Sequence, residues 1–292
     1  MPIIDSKSDL GFKKVFGEKP HLLISLLNNF LPLTNPIISV QYISPEVLPD
    51  LHEGKNSIVD VRCTDSQGRH FIVEMQVEKQ GAFTKRVIMN TTKVYSRQLS
   101  KEQSIEMTQP VYSLNLLNHK MKPDETVWYH HYLLTNLHLK NDHLDELHII
   151  LIELPKWKKL SKFDLDKPQD RWLMYFSDPN MFSILSKEER ARFNEISEAI
   201  EVLETTNYTP EQLRGYELYL DNIRTYVASI SEARNEGREE GRLEGLNQGK
   251  SLMMSNTLEI IKALKEKKLT PAEIGLKFNV DEDFVIGLQR SL

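Results

Sequence analysis

Two acidic side chains and one amide stand at positions where a β-hairpin would bring them together. Residues 57–63 and 71–77 alternate with the period of two that is typical of strands, and a Ser-Gln-Gly segment between them has turn-forming character. A hairpin folded about this segment sets Asp60 directly opposite Glu74, with Gln76 two residues further along the same face. The spacing therefore predicts two opposed carboxylates with an amide beside them.

Opposed carboxylates restrict what such a site can hold. On strands made mostly of Ile, Val, Phe and Met, the two charges repel each other unless a proton or a divalent cation neutralises them. Oxygen ligands without cysteine or an evident histidine favour Mg²⁺ or Mn²⁺ over Zn²⁺. The alternative is that both acids lie on the solvent face of the hairpin, and the spacing alone slightly favours this alternative.

The segment that follows the hairpin is strongly basic. It runs from residue 79 to residue 101, contains no Asp or Glu, and has a helical pattern over residues 85–99. A cation between acids, beside a basic helix, is the layout of metal-assisted phosphodiester hydrolysis, and the charges suggest a substrate that carries phosphate. The alternative is an ordinary solvated helix face. The basic residues of the segment are Lys79, Lys85, Arg86, Lys93, Arg97 and Lys101.

The surrounding elements have the order of an α/β protein. Apolar residues at helical spacing predict a helix over residues 22–31, which Pro32 ends. Further β-rich runs occupy residues 111–117, 127–134 and 147–154. The order helix, strand, strand, helix, strand predicts a sheet with helices packed against it.

The remainder of the chain is predicted to be helical. We expect a helical extension at 161–233, a glycine-repeat segment at 234–254 and a small helical unit at 255–292, after a first domain at 1–160. Thr209 with Gln212 forms a capping-box signature within the extension. The repeat places glycine at every fourth position: Gly237, Gly241, Gly245 and Gly249. Two interpretations are evenly balanced, a helix that packs closely against a second copy and a flexible charged linker.

Composition excludes several classes of protein. The 292 residues carry a net charge of −5, which excludes a globally basic nucleic-acid coat protein but allows a local basic groove. The single cysteine, Cys63, excludes an intramolecular disulfide and a cysteine-rich zinc site. No apolar run approaches the ~20 residues that span a bilayer, and no signal peptide is visible. We therefore expect a cytoplasmic protein without a membrane partner.

Several motifs together resemble a known family. The joint pattern is similar to the recombination-promoting nuclease / putative transposase family of the PD-(D/E)XK nuclease superfamily, over roughly residues 1–160. The quoted motifs are Asp9-Leu-Gly-Phe12-Lys13-Lys-Val-Phe16-Gly17, Ile58-Val-Asp60-Val, Ile72-Val-Glu74-Met-Gln76, the pair Arg86 and Tyr95, and Ile152-Glu-Leu-Pro-Lys156. The resemblance implies a restriction-endonuclease-like core, with a mixed central sheet flanked by helices, followed by an all-helical C-terminal region.

The resemblance also implies roles for single residues. Asp60 and Glu74 match the two acidic metal ligands of the superfamily, and Asp9 matches an additional acid that supports the site. Gln76 stands where the superfamily usually has lysine. Glutamine can orient the attacking water by hydrogen bonding, but it cannot lend positive charge to the phosphorane.

A Mg²⁺-dependent DNA endonuclease is therefore the leading hypothesis, with Mn²⁺ as the other suitable ion. Lys85, Arg86, Lys93 and Arg97 would hold DNA phosphates, and the biological setting would be recombination, mobile elements or defence against foreign DNA. We expect a homodimer with much of its interface in residues 230–292, because two sites cut two strands more easily than one. The alternatives are a catalytically silent nucleic-acid-binding or regulatory protein on a nuclease fold, and a protein-interaction scaffold built on residues 160–292.

The last residues allow two interpretations. Residues 268–288 resemble half of a helix-turn-helix, but their second helix begins at Asp281 with an acidic entry that is unlike a groove-reading helix. A small dimerisation or capping unit fits at least as well.

Overall fold

The computed structural model describes residues 3–47, 57–77, 81–99, 102–121, 123–124, 126–139, 141–160, 164–178, 182 and 186–292. The chain divides into two compact units, Met1–Arg214 and Gly215–Leu292. Within the described ranges, no helix is long and apolar enough to cross a membrane.

The first unit is built around a mixed β-sheet. Its strands are β1 (Val40–Tyr42), β2 (Glu46–Val47), β3 (Ser57–Ile58), β4 (Val61–Asp65), β5 (His70–Gln76), β6 (Val111–Leu117), β7 (Tyr129–Thr135) and β8 (His143–Glu153). The main sheet has the order β1-β4-β5-β6-β8-β7, and β2 pairs separately with β3. Strands β5, β6 and β8 run parallel, while the remaining pairs are antiparallel. The expected α/β fold with a mixed central sheet is confirmed.

Helices account for most of the rest of the described chain. They are α1 (Asp9–Phe16), α2 (Pro20–Phe30), α3 (Phe83–Ser96), α4 (Leu154–Leu160), α5 (Pro168–Ser177), α6 (Lys187–Arg192), α7 (Asn194–Val202), α8 (Pro210–Glu266), α9 (Pro271–Phe278) and α10 (Glu282–Arg290). The predicted capping box is present at the start of α8, where Thr209 and Gln212 each accept a hydrogen bond from the other's backbone N–H.

The hairpin register follows the sequence prediction, but its first strand is interrupted. Val61 pairs with Val73, so Asp60 comes next in register beside Glu74. The expectation of one continuous strand over 57–63 is wrong, because the ladder to β5 ends at Val61 and Ser57–Ile58 pairs with β2 instead. The Val59 N–H also bonds to the Pro45 carbonyl at 3.0 Å, which draws the chain out of the main sheet just before Asp60.

Aromatic packing extends the first unit past the expected boundary at residue 160. Phe12 and Phe16 of α1 are fully buried, and the Phe16 ring lies 5.5 Å from that of Trp172 on α5. Tyr175 and Phe176 of α5 complete the cluster. Because α5 supplies three of these five rings, it belongs to the same core as α1, and the first compact unit includes it and ends at Arg214.

The second unit contains most of a very long helix and a small apolar core. Helix α8 has 57 residues, which at 1.5 Å per residue corresponds to roughly 85 Å. Gly237 to Gly249 lie inside this helix, so the repeat is helical, and its packing against a second copy stays a prediction. Ile260 of α8, Ile274 of α9 and Val285 of α10 form the core. Asp281 begins α10 as predicted, because its side chain accepts the Asp283 N–H.

Candidate active site

The two predicted acids meet at the carboxyl end of β5. Asp60 lies immediately before β4, and its Oδ2 accepts a 2.6 Å hydrogen bond from the backbone N–H of Met75. Met75 lies between Glu74 and Gln76 in the chain, so the Asp60 carboxylate sits against the same short stretch that carries the other two polar groups. The break in the strand therefore frees Asp60 from the ladder and lets its side chain reach across the hairpin.

Helix α3 covers one face of β5 with matching spacing. Ile72, Glu74 and Gln76 follow at every second residue of the strand, where two residues span ~6.6 Å. Their partners follow at every fourth residue of the helix, which spans ~6 Å. Ile72 packs with Val94, Glu74 accepts a 3.1 Å hydrogen bond from Asn90 Nδ2, and Gln76 bonds to Arg86. Because the two spacings agree, each side chain on this face of the strand meets one helix residue.

Asn90 is a site residue that the sequence interpretation missed. Its side chain is 1% exposed, and its Oδ1 has no hydrogen-bond partner within the described structure. The sequence did contain one signal for Asn90: it stands four residues after Arg86 and four before Val94 on the predicted helix, and therefore on the same helix face. Its contact with Glu74 depends on how α3 is rotated over the sheet, which the spacing alone does not specify.

Burial makes ionisation of both acids costly. The pKa of Glu74 is raised above its ordinary value mainly by burial, and the negative charge of Asp60 raises it further, while the Asn90 hydrogen bond and the Arg86 charge oppose the shift. The pKa of Asp60 is also raised mainly by burial, against the Met75 hydrogen bond. A site of this kind binds protons readily, so a divalent cation must displace protons in order to bind. The affinity of the site for the cation therefore rises with pH.

Helix α1 presents its charged face to this site and its aromatic face to the core. Asp9 and Lys13 form an ion pair of 2.6 Å, and both charges influence Asp60, with Asp9 raising its pKa and Lys13 lowering it. Phe12 and Phe16, each three residues further along the helix than Asp9 and Lys13, are fully buried. The two aromatic residues therefore pack in the core, while the negative charge of Asp9 acts on Asp60.

The donor set suits a hard cation with few protein ligands. Nowhere in the described ranges does a group of three or more His, Cys, Asp or Glu side chains come together to hold a metal. Asp60 and Glu74 supply two carboxylates, and Mg²⁺ commonly takes one or two carboxylates and completes its shell with water and substrate phosphate. The residues present therefore fit Mg²⁺ or Mn²⁺ and do not fit a structural zinc site.

The four predicted phosphate-binding residues lie in different settings around α3. Arg86 turns inward to the acids, whereas its neighbour Lys85 is exposed and points ~100° away around the helix. Lys93 follows seven residues after Arg86 and so lies within ~20° of the same side of α3, whereas Arg97 is the C-cap residue, just past the last helical residue Ser96. Lys79 and Lys101 of the same basic segment lie outside the described residues.

The histidines and the Glu-Leu-Pro-Lys motif take part in internal contacts. His130 and His131 are adjacent on β7 and face opposite ways: His130 Nε2 lies 2.8 Å from Glu153 Oε1, and His131 Nε2 lies 3.0 Å from His148 Nδ1. Glu153 also accepts a 3.0 Å hydrogen bond from Lys156, and both of these side chains are fully buried. The sequence alone predicts no role for this motif, and in the structure its Glu153 and Lys156 form a buried ion pair.

The fold and the position of the two acids together define a class of protein. A mixed sheet that sets two acids at the end of its central hairpin, flanked by helices, is an α/β core of the restriction-endonuclease-like type. The chain belongs to the PD-(D/E)XK nuclease family transposases, whose family model matches residues 6–233. Among curated proteins the chain has no significant match, and the same holds among solved structures. The resemblance noted from the motifs is thereby confirmed, and it extends well beyond residue 160.

Proposed function

We propose that this protein is a metal-dependent DNA endonuclease that hydrolyses phosphodiester bonds. The observation that carries the proposal is the pair of acids, Asp60 and Glu74, brought to one end of β5 with their pKa values raised by burial. Membership of a nuclease family supports DNA as the substrate.

Asp60 and Glu74 would hold Mg²⁺ or Mn²⁺. A bound ion of this kind supplies a water of lowered pKa and neutralises charge on the phosphate. The chain itself keeps the acids in place, since the Met75 N–H holds Asp60 and the Asn90 amide holds Glu74. The negative charge of Asp9, on α1, raises the pKa of Asp60. The Gln76 amide contributes a neutral polar group beside the acids.

Further parts of the proposal concern DNA and assembly. Lys93 on α3, Arg97 at the C-terminal end of that helix and the exposed Lys85 would contact the DNA backbone. The biological setting would be recombination, mobile elements or defence against foreign DNA. A homodimer that uses residues 230–292 would bring two sites to one duplex. The exposed glycine repeat on α8 supports close approach of a second copy, since an added Cβ there would meet no atom of the described residues within 4 Å.

The test uses the full-length chain and supercoiled plasmid. With Mg²⁺ or Mn²⁺ we expect nicked and linear products, and with EDTA none. Asp60→Asn keeps an oxygen that can accept the Met75 N–H but removes the charge, and should abolish cleavage. The matched control is Asp221→Asn on α8, whose side chain is exposed. Cleavage that persists in Asp60→Asn, or that is insensitive to EDTA, would overturn the proposal.

A catalytically silent DNA-binding protein is the second candidate, and Gln76 in place of the usual lysine is the observation that favours it. It predicts no cleavage under any metal condition, together with DNA affinity that falls as salt rises.

A further inference from the structure

We propose that Arg86 is a catalytic residue that supplies the positive charge at the scissile phosphate, and that Gln76 is the residue that positions it. This assignment rests on the proposed endonuclease function and goes beyond it, because Arg86 was expected from the sequence only to hold DNA.

Three contacts fix the Arg86 side chain beside the acids. Its Nη2 donates a hydrogen bond to Gln76 Oε1 at 2.5 Å, and the same atom lies 3.8 Å from Glu74 Oε2. The guanidinium also lies over the Phe83 ring, 5.5 Å from its centre. The side chain nevertheless remains about one-third exposed, at 32%, so a phosphate can reach it from solvent.

The chemistry of the reaction requires such a charge. Phosphodiester hydrolysis adds negative charge to the phosphoryl oxygens, and a positioned cation stabilises that charge at the moment it develops. A guanidinium is permanently charged, and its planar fork of donors matches two phosphate oxygens at once. Arg86 therefore brings to this site what an amide at position 76 lacks.

The same geometry explains why position 76 holds glutamine. The amide oxygen of Gln76 accepts from Arg86, whereas a lysine there would set an ammonium group against the guanidinium. Gln76 is 7% exposed, so this repulsion would be weakly screened. The amide oxygen is engaged with the arginine, which assigns Gln76 to orienting Arg86 and not, as the sequence suggested, to orienting the attacking water.

A purely structural role for Arg86 makes different predictions. If the guanidinium only balances the Glu74 charge, its loss should change folding and leave the chemical step of folded protein intact. If it only holds ground-state DNA, its loss should weaken binding and leave the rate at saturating protein unchanged. A catalytic role lowers the rate at saturation with little change in affinity.

The experiment measures single-turnover cleavage of plasmid DNA at saturating protein, with DNA affinity determined separately in EDTA and folding checked by thermal unfolding. Arg86→Gln should slow cleavage by about 10²–10³-fold, the loss typical of removing one transition-state donor, and change the dissociation constant by no more than about threefold. Arg86→Lys should recover part of the rate because it restores the charge. Arg224→Gln, an exposed arginine of α8 that pairs with Asp221, is the matched control and should leave the saturating rate unchanged.

Moving the positive charge from position 86 to position 76 gives the sharpest test of the assignment. Gln76→Lys alone should be slower than wild type, because the new ammonium displaces Arg86. Combined with Arg86→Gln, it should be faster than Arg86→Gln alone, because the lysine then supplies the missing charge beside an amide partner.

The outcomes separate this assignment from the proposed function. If wild type cuts and Asp60→Asn does not, the endonuclease proposal stands, and an Arg86→Gln variant that cuts at the wild-type rate, or a Gln76→Lys variant faster than wild type, overturns the assignment alone. If wild type does not cut under any metal condition, both proposals fall together.

Discussion

Replacing Lys156 with methionine tests the buried ion pair at the end of β8. Lys156 and Glu153 have no exposed surface and lie 3.0 Å apart. Lys156 also donates to the Val127 carbonyl at 3.1 Å, while Glu153 Oε2 accepts the Met121 N–H at 2.7 Å and Oε1 contacts His130. The pair therefore ties the end of β8 to both sides of the segment that leads from β6 to β7.

The magnitude follows from burial. Methionine retains the packing of the lysine stem but leaves Glu153 as a buried charge without its cation, a change that typically costs about 3–5 kcal/mol. Domain stabilities are of the order of 5–15 kcal/mol, so this loss is large. A double variant, Lys156→Met with Glu153→Gln, removes the unpaired charge, and we expect it to be more stable than the sum of the two single changes predicts.

The assay is equilibrium unfolding in urea followed by tryptophan fluorescence. Trp128, Trp157 and Trp172 are the tryptophans of the chain, and all lie in the first unit, so the signal reports that unit without the transition of the second. The control is Lys167→Met, which breaks an exposed pair with Asp164 at 3.8 Å and should cost less than about 1 kcal/mol. If Lys156→Met costs no more than this control, the reasoning from burial is refuted.

Three further predictions follow from the same structure. Because the pKa of Asp60 is raised on folding, the folded protein binds protons more readily than the unfolded chain, so without metal its stability should fall as pH rises from the ordinary Asp pKa towards the raised one. Urea unfolding in EDTA across this pH range should show a weaker pH dependence in Asp60→Asn than in wild type. An equal pH dependence in the two proteins would contradict the assignment. Gly241→Ala adds a methyl group that meets no atom of the described residues within 4 Å, and it should stabilise α8 by about 1 kcal/mol in a monomer. In a dimer packed on the glycine stripe it should instead promote dissociation, and light scattering of both proteins would report the difference. Burial raises the pKa of Cys63 to about 12, so alkylation by iodoacetamide at neutral pH should be slow in native protein and fast in urea, and equal rates would show that the thiol is accessible.

Local patterns in the sequence determined the hairpin and the order of elements. Alternation with a period of two and a Ser-Gln-Gly turn specify which residues pair, which is why Asp60 and Glu74 were expected beside each other and why Val61 pairs with Val73. Caps are equally local, and Thr209 and Asp281 begin their helices where the sequence indicated. The family motifs likewise stand in the printed residues.

Tertiary packing decided what surrounds the acids. The rotation of α3 over β5 turned Arg86 inward and brought Asn90 to Glu74. The exposed Lys85 stands only one residue before Arg86, and the spacing along the helix does not tell which of the two faces the sheet. Pairing of Ser57–Ile58 with β2 ended the ladder before Asp60, and the aromatic side chains of α5 carried the compact unit past residue 160. These outcomes depend on contacts between segments distant in the chain, whereas periodicity and capping report only on neighbours within a few residues.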